Sequence, residues 1–358
     1  MPPFSIAELR QCIPPHLFER SLVKSSAYLL RDFAMIGALG LAATSLFDAP
    51  WWLQGVLWPV YFYLQGAVFC GVWIIAHECG HQSFSDSKAI NDAVGLVLHS
   101  ALLVPYHPWR ISHSAHHKHT NHADFDQAFV PKPRSQVSEA VLESPLATIA
   151  RIAFALTVGW WGYFFFNWLG RDYGEQRVNH FEPSSPIFKP KDRADVMVSN
   201  AALVVVVAAL ALWAFLSPAG MLLLYFAPYM VCNAFLVTIT LLQHTDVKVP
   251  HFRGDEFTFI RGALSTVDRS YGALLNNLHH NISDSHVAHH LFSTMPHYNA
   301  ILATPYLQAK LGAYYRRDDS SVLRAAYNVF RECLFIEDAP AKVLVWKGHK
   351  DFQSSPSS

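Results

Sequence analysis

Residues 196–245 read VMVSNAALVVVVAALALWAFLSPAGMLLLYFAPYMVCNAFLVTITLLQHT, 50 positions without an Asp, Glu, Lys or Arg. A bilayer span needs about 20 apolar residues. This stretch therefore predicts two spans, at about 196–216 and 221–242, turned by Ser217-Pro218-Ala219-Gly220. Ala49–Ala76 is equally free of charge and predicts another, at about 51–76. A fourth, at about 27–47, is separated from it by Asp48-Ala49-Pro50. Its uncharged part starts only at Phe33, which puts Arg31 and Asp32 near the interface. Composition agrees, with 52% apolar and 15% charged residues, against roughly 25% charged in soluble domains. The expected fold class is all-α and integral to the membrane. It has four transmembrane helices in two hairpins, interfacial helices and a cytosolic helical cap. Residues 1–358 are read as one domain with a disordered tail at about 354–358.

The two predicted turns between spans carry no Lys or Arg, whereas the N-terminus, residues 77–195 and the C-terminal region carry all of them. The positive-inside rule then puts both termini and the long loop in the cytosol. Two further segments, Ala93–Trp109 and Ile152–Gly170, also lack charge. Histidine and proline in the first, and a run of aromatics in the second, place both in the interface rather than across the bilayer. Were only one of them to cross, the polar chemistry on its two sides would face opposite compartments. Net charge is zero, which gives no sign of a nucleic-acid partner, and five cysteines without a CxxC pair indicate neither a zinc ribbon nor a disulfide framework.

Nine histidines fall within His77–His122 and six within His279–His297, fifteen of the twenty in the chain. Three groups have helical spacing. His77-Glu78-Cys79-Gly80-His81 places two imidazoles at i and i+4, hence on one face. His113-Ser114-Ala115-His116-His117 and His286-Val287-Ala288-His289-His290 each give i, i+3 and i+4. These eight, with His244 just past the last span, exceed what a single four-coordinate ion takes, and fit two metals. One HxxHH alone would read as a solvated helix face; three boxes at one membrane surface do not. Asp124, Asp126, Asp284, His280 and Asn281 are candidates to orient the ligands from behind. His16, His180, His251 and His349 read as surface or capping residues. His99 and His107 read as packing groups, and His119 and His122 as loop or supporting residues.

The longer motifs resemble the membrane fatty-acid desaturases, and among those the endoplasmic-reticulum oleoyl delta-12 group of fungi and plants. They are AHECGHQSFS (76–85), LHSALLVPY (98–106), WRISHSAHHKHT (109–120), FVPKPR (129–134), LQHTD (242–246), RGALSTVDRSYG (261–272) and HNISDSHVAHHLFSTMPHYNA (280–300). The resemblance implies a non-haem centre of two iron ions, O2 as co-substrate and a fatty acyl lipid substrate, phospholipid-bound or acyl-CoA. It also implies electrons from cytochrome b5 and its NADH-dependent reductase. The HPGG motif of the cytochrome does not occur here, so the donor is expected to be a separate protein. Gln82 and Asp246 stand where the plant pattern has histidine, a departure that spares the boxes and bears on regiochemistry. An omega-3 desaturase, an acetylenase or a conjugase would carry the same boxes.

Two other classes compete. His77-Glu78-Cys79-Gly80-His81 is a literal H-E-x-x-H, as in an intramembrane zinc metalloprotease with Glu78 as general base; that reading leaves both HxxHH boxes without a use. A membrane metal transporter would hold its ions near the bilayer midplane, whereas these histidines lie beyond span ends. Taking hydrogen from an unactivated methylene needs a strong oxidant, which redox-active iron can provide and zinc cannot. The acyl chain needs an apolar slot, expected between the second and fourth spans.

Overall fold

The computed structural model describes residues 2–137, 144–337 and 340–348, so His349 and the tail at 354–358 lie outside the described residues. The helices are α1 (Ile6–Gln11), α2 (Leu22–Thr44), α3 (Trp51–Gly80), α4 (Lys88–Ala101), α5 (Tyr106–His119), α6 (Pro145–Phe166), α7 (Arg193–Leu216), α8 (Pro218–His244), α9 (Phe259–Ala263), α10 (Ala273–Leu278), α11 (His286–Leu291), α12 (His297–Leu311) and α13 (Val322–Glu332). The strands β1 (His251–Phe252) and β2 (Val343–Leu344) pair antiparallel, His251 opposite Leu344. Wide π turns interrupt α6 at Ala155–Gly159 and α8 at Met221–Phe226.

The centre of the bundle is α3, which packs against α2, α4 and α8. Its most apolar window is 72% buried, against 11% for the window containing α7, whose valine and leucine side chains face outward. Small residues let the chain approach α3 closely. A Cβ on Gly66 would lie 2.7 Å from Val231 Cβ and 2.8 Å from the Pro228 carbonyl, so α8 seats directly on the backbone there. A Cβ on Gly71 would fall 2.4 Å from the Leu278 carbonyl, which presses the segment before the third histidine box onto the same helix. The 30 residues of α3 extend about 45 Å at 1.5 Å per residue. That exceeds a hydrocarbon core of about 30 Å, so the helix is longer than a crossing needs; His77 lies in its last turn and His81 caps it.

Five helices among the described residues are long and apolar enough to cross a membrane, by length and composition. Four are α2, α3, α7 and α8, as expected; the fifth is α6, expected in the interface. The other ambiguous segment is not a single helix. It breaks at Leu102–Pro105 into α4 and α5, bent by 107°, with Pro105 capping α5. The contacts constrain how these pieces run. Arg110 of α5 reaches Asp195 at the start of α7 at 3.2 Å, and the His107 amide donates to Ser199 Oγ at 3.0 Å. The chain between α5 and α7, α6 included, returns to the place it left.

Several residues lie deeper than the sequence suggests. Asp32 is fully buried within the protein, against His280 and Arg31, which the sequence did not indicate. His180 and His251, expected at the surface, are buried as well. His180 Nε2 lies 3.1 Å from Ser112 Oγ, and His251 packs edge-on against Trp346.

Candidate metal centre

Four elements deliver the box histidines to one place: the end of α3, the second half of α5, the last residue of α8, and α11. They resolve into two groups. The ligand atoms of His77, His81, His113, His117 and His289 all lie within 4.8 Å of one another, as do those of His116, His244 and His290. His286 joins the second group, with its Nε2 2.9 Å from His244 Nε2 and its ring 4.7 Å from that of His290.

Helix geometry explains the division. Residues four apart share a face, so His113 and His117 point together; neighbours on a helix diverge by about 100°, so His116 and His117 part. His289 and His290 part in the same way. Each HxxHH box thereby serves both groups. The seam between them is the His117–His290 stack, with centroids 4.0 Å apart and planes 7° from parallel.

The donor set fits metal ions. Burial first, and neighbouring imidazoles second, hold His117 and His290 well below the ordinary histidine range, and burial brings His286 to about 3. Such rings stay neutral and keep a lone pair to offer. The Nε2 atoms of His81, His289 and His290 are buried with no hydrogen-bond partner, a costly arrangement unless something fills the space between them. Tautomers are fixed from behind. Asp126 Oδ1 lies 2.6 Å from His116 Nδ1, and Thr120 Oγ1 lies 3.2 Å from His290 Nδ1. Asp126 is itself held by the amides of Asn121 at 2.7 Å and Ala128 at 3.2 Å.

The remaining candidates do not reach the box rings through their side chains. Asp124 turns outward to Arg253, at 2.9 Å. Asp284 accepts from Asn276 Nδ2 at 2.8 Å. His280 pairs with Asp32 at 2.7 Å. Asn281 sits at φ 58°, where its carbonyl accepts from Ser285 and shapes the turn before α11. Sequence reasoning missed Thr120, Asp268 and Arg269, whose partners lie 19 or more residues away along the chain. Glu78 Oε1 lies 3.7 Å from His77 Nδ1, and its other oxygen is already taken. Its Oε2 accepts from Ser83 Oγ at 2.9 Å and from the His297 amide at 2.8 Å.

A cavity of about 840 Å³ opens onto His113, His116 and His244, touching both groups. Its walls are apolar and aromatic: Trp73, Trp109, Phe129, Trp160, Tyr163 and Leu241. The volume falls within the roughly 300–1,000 Å³ of small-molecule sites. The expected slot between α3 and α8 is only part of it. Trp73 comes from α3 and Val237, Thr240 and Leu241 from α8, while α6 lines it from Ala147 to Tyr163, about 24 Å of helix. A second cavity of about 410 Å³ shares Lys132, Arg151 and Phe330 with it and continues to Cys333 and Trp346.

Residues 33–321 match a family model described as fatty acid desaturase. The chain is 45% identical over 359 residues to the delta(12) fatty acid desaturase of Mortierella alpina, covering 94% of this chain and 89% of that protein. It is 44% identical over 339 residues to the omega-6 fatty acid desaturase, endoplasmic reticulum isozyme 1, of Glycine max, covering 94% and 87%. Over 342 residues it is 45% identical to the delta(12) acyl-lipid conjugase (11E,13E-forming) of Momordica charantia, covering 94% and 85%.

Proposed function

Because this chain belongs to the fatty acid desaturase family, we propose that it inserts the delta-12 double bond into an oleoyl chain held in the large cavity. One observation carries the reading: an apolar cavity of about 840 Å³ meets members of both histidine groups. His77, His81, His113, His117 and His289 would hold one iron and His116, His244, His286 and His290 a second, which would supply the oxidising power for taking hydrogen from a methylene. Overall, two hydrogens leave adjacent carbons, and O2 with two electrons and two protons becomes two waters. The electrons come from cytochrome b5 and its reductase.

The residues of this chain do the rest. The tryptophans and phenylalanines of the cavity bury the acyl chain, exclude water and hold one C–C bond near the imidazoles. Asp126 and Thr120 keep Nδ1–H of His116 and His290 engaged, leaving each Nε2 lone pair inward. The span arrangement that fits is α2, α3, α7 and α8 across the endoplasmic-reticulum membrane, with the histidines and both termini cytosolic. The Arg110–Asp195 contact supports the even number of crossings this requires.

Likeness to a conjugase at the same level of identity favours one further reading, a delta-12 enzyme that forms a conjugated product. Expression in a yeast that lacks linoleate, with and without linoleate supplied, followed by fatty-acid profiling, separates the two. Linoleate made from oleate is expected; a conjugated triene formed when linoleate is supplied would select the second reading. No new unsaturated product in either condition from a folded, iron-loaded protein overturns both.

A further inference from the structure

Two consecutive residues outside every histidine box hold the elements that carry the second group. Asp268 is fully buried, and its Oδ1 accepts from the Val287 amide at 2.8 Å, in the first turn of α11. Its other oxygen takes the Tyr315 hydroxyl. Arg269 is 2% exposed. Its Nε donates to the Leu242 carbonyl at 2.9 Å, two residues before His244, and its Nη2 donates to Asp246 at 2.7 Å, two residues after it. The remaining nitrogen, Nη1, pairs with Asp318. Backbone bonds run alongside, from Val267 to the Gln243 carbonyl and from Arg269 to the Ser283 carbonyl.

We propose that Asp268 and Arg269 are positioning residues that set His244 against His286 and His290, and so assemble the second metal site. The inference rests on the reading of both histidine groups as metal sites. The geometry explains why these residue types are needed. His244 is the last residue of α8, after which the chain leaves the helix at Thr245, and α11 has only six residues, too few to hold a shape unaided. A guanidinium offers donors in a rigid fork, and here Nε and Nη2 grip acceptors on either side of His244 while Nη1 holds Asp318. An ammonium cannot span them. Asp246, where the plant pattern has histidine, supplies one of those acceptors, so the departure serves the clamp in this chain. The first group draws four of its five ligands from α3 and α5, which fix them, and shares only His289 with α11.

The test is a titration of the detergent-solubilised, metal-free full chain with Co²⁺ as the probe. Wild type is expected to take two ions. In Arg269→Lys one ion binds as before and the other at least tenfold more weakly, the usual loss when an outer partner of a metal ligand is removed. In a His81→Ala background, which spares only the second group, Arg269→Lys abolishes the remaining tight binding. Should Arg269→Lys fail to fold by size-exclusion profile, Asp246→Ala removes one acceptor at a less buried position and gives a smaller, still one-sited weakening. Arg253→Ala, an exposed arginine on the same side of the chain, leaves both affinities unchanged. Two ions bound by Arg269→Lys as tightly as by wild type, or both weakened equally, overturn the clamp while leaving the metal reading intact. Fewer than two ions in wild type overturn the metal reading, and the clamp with it.

Discussion

The two histidine groups sit side by side yet are built by different means. Four of the five members of the first come from α3 and α5, helices of 30 and 14 residues packed into the core, as i, i+4 pairs. The helices place those rings without help. The second group takes His116 from α5, His244 from the final residue of α8, and His286 and His290 from a helix of six residues. There the placement comes from partners elsewhere in the chain: Asp126, Thr120, Asp268 and Arg269. One group is rigid because of local periodicity, the other because of tertiary hydrogen bonds. Damage to single side chains should separate them.

The largest effects are expected at the ligands. His81→Ala and His244→Ala should each abolish product in the yeast assay while differing in what they retain. Each should keep one metal ion per chain, in the first case within the second group and in the second case within the first. Full desaturation by His244→Ala would remove His244 from the centre and undo the division into two groups.

Next is Asp126→Asn, which exchanges the acceptor of His116 Nδ1 for an amide. Loss of such a partner typically weakens a metal site by about 10–100-fold. The weakening should be confined to the second group and appear as a biphasic metal titration. A uniform loss at both groups would mean that Asp126 supports the fold rather than the site.

Acid sensitivity gives the background against which both groups are read. Burial pulls His180 and His251, which belong to neither group, down to about 3, whereas in the unfolded chain they titrate near 6.5. Between those values the unfolded state binds more protons, so stability is full above pH 6.5 and is lost as pH falls toward 3. At pH 5.5 each contributes a loss of roughly 1.4 kcal/mol. The metal-loaded protein should therefore melt lower at pH 5.5 than at 7.5, and His251→Gln should make that difference smaller. An unchanged melting temperature across this range would contradict the burial of these rings.

The contrast also explains what could be read from sequence. Charge-free runs gave α3, α7 and α8 because hydropathy is a local property, and the i, i+4 spacing gave the first group for the same reason. The place of α6 was not legible: its aromatics suit an interface, and only the packing shows that Ala147 to Tyr163 wall the cavity. The break at Leu102–Pro105 was foreshadowed by its prolines but not its 107° bend. Asp32 is next to Arg31 and looked interfacial, although its partner His280 lies 248 residues away. The Asp268–Arg269 pair stood within a quoted motif with nothing nearby to indicate that its targets were α8 and α11.

Asp124 is the sharpest control, since sequence alone ranks it with Asp126. Both follow the second box within a few residues, and both could orient an imidazole. The structure parts them: Asp126 is buried against His116, whereas Asp124 pairs with Arg253 with side chains 43% and 36% exposed. An exposed ion pair contributes about 0–1 kcal/mol, and salt screens it further. Asp124→Asn should therefore leave product yield and both metal affinities at wild-type levels and shift the melting temperature by no more than a degree or two. A loss of metal comparable to that of Asp126→Asn would put Asp124 back among the groups that orient the ligands, and would mean that Arg253 releases it when metal binds.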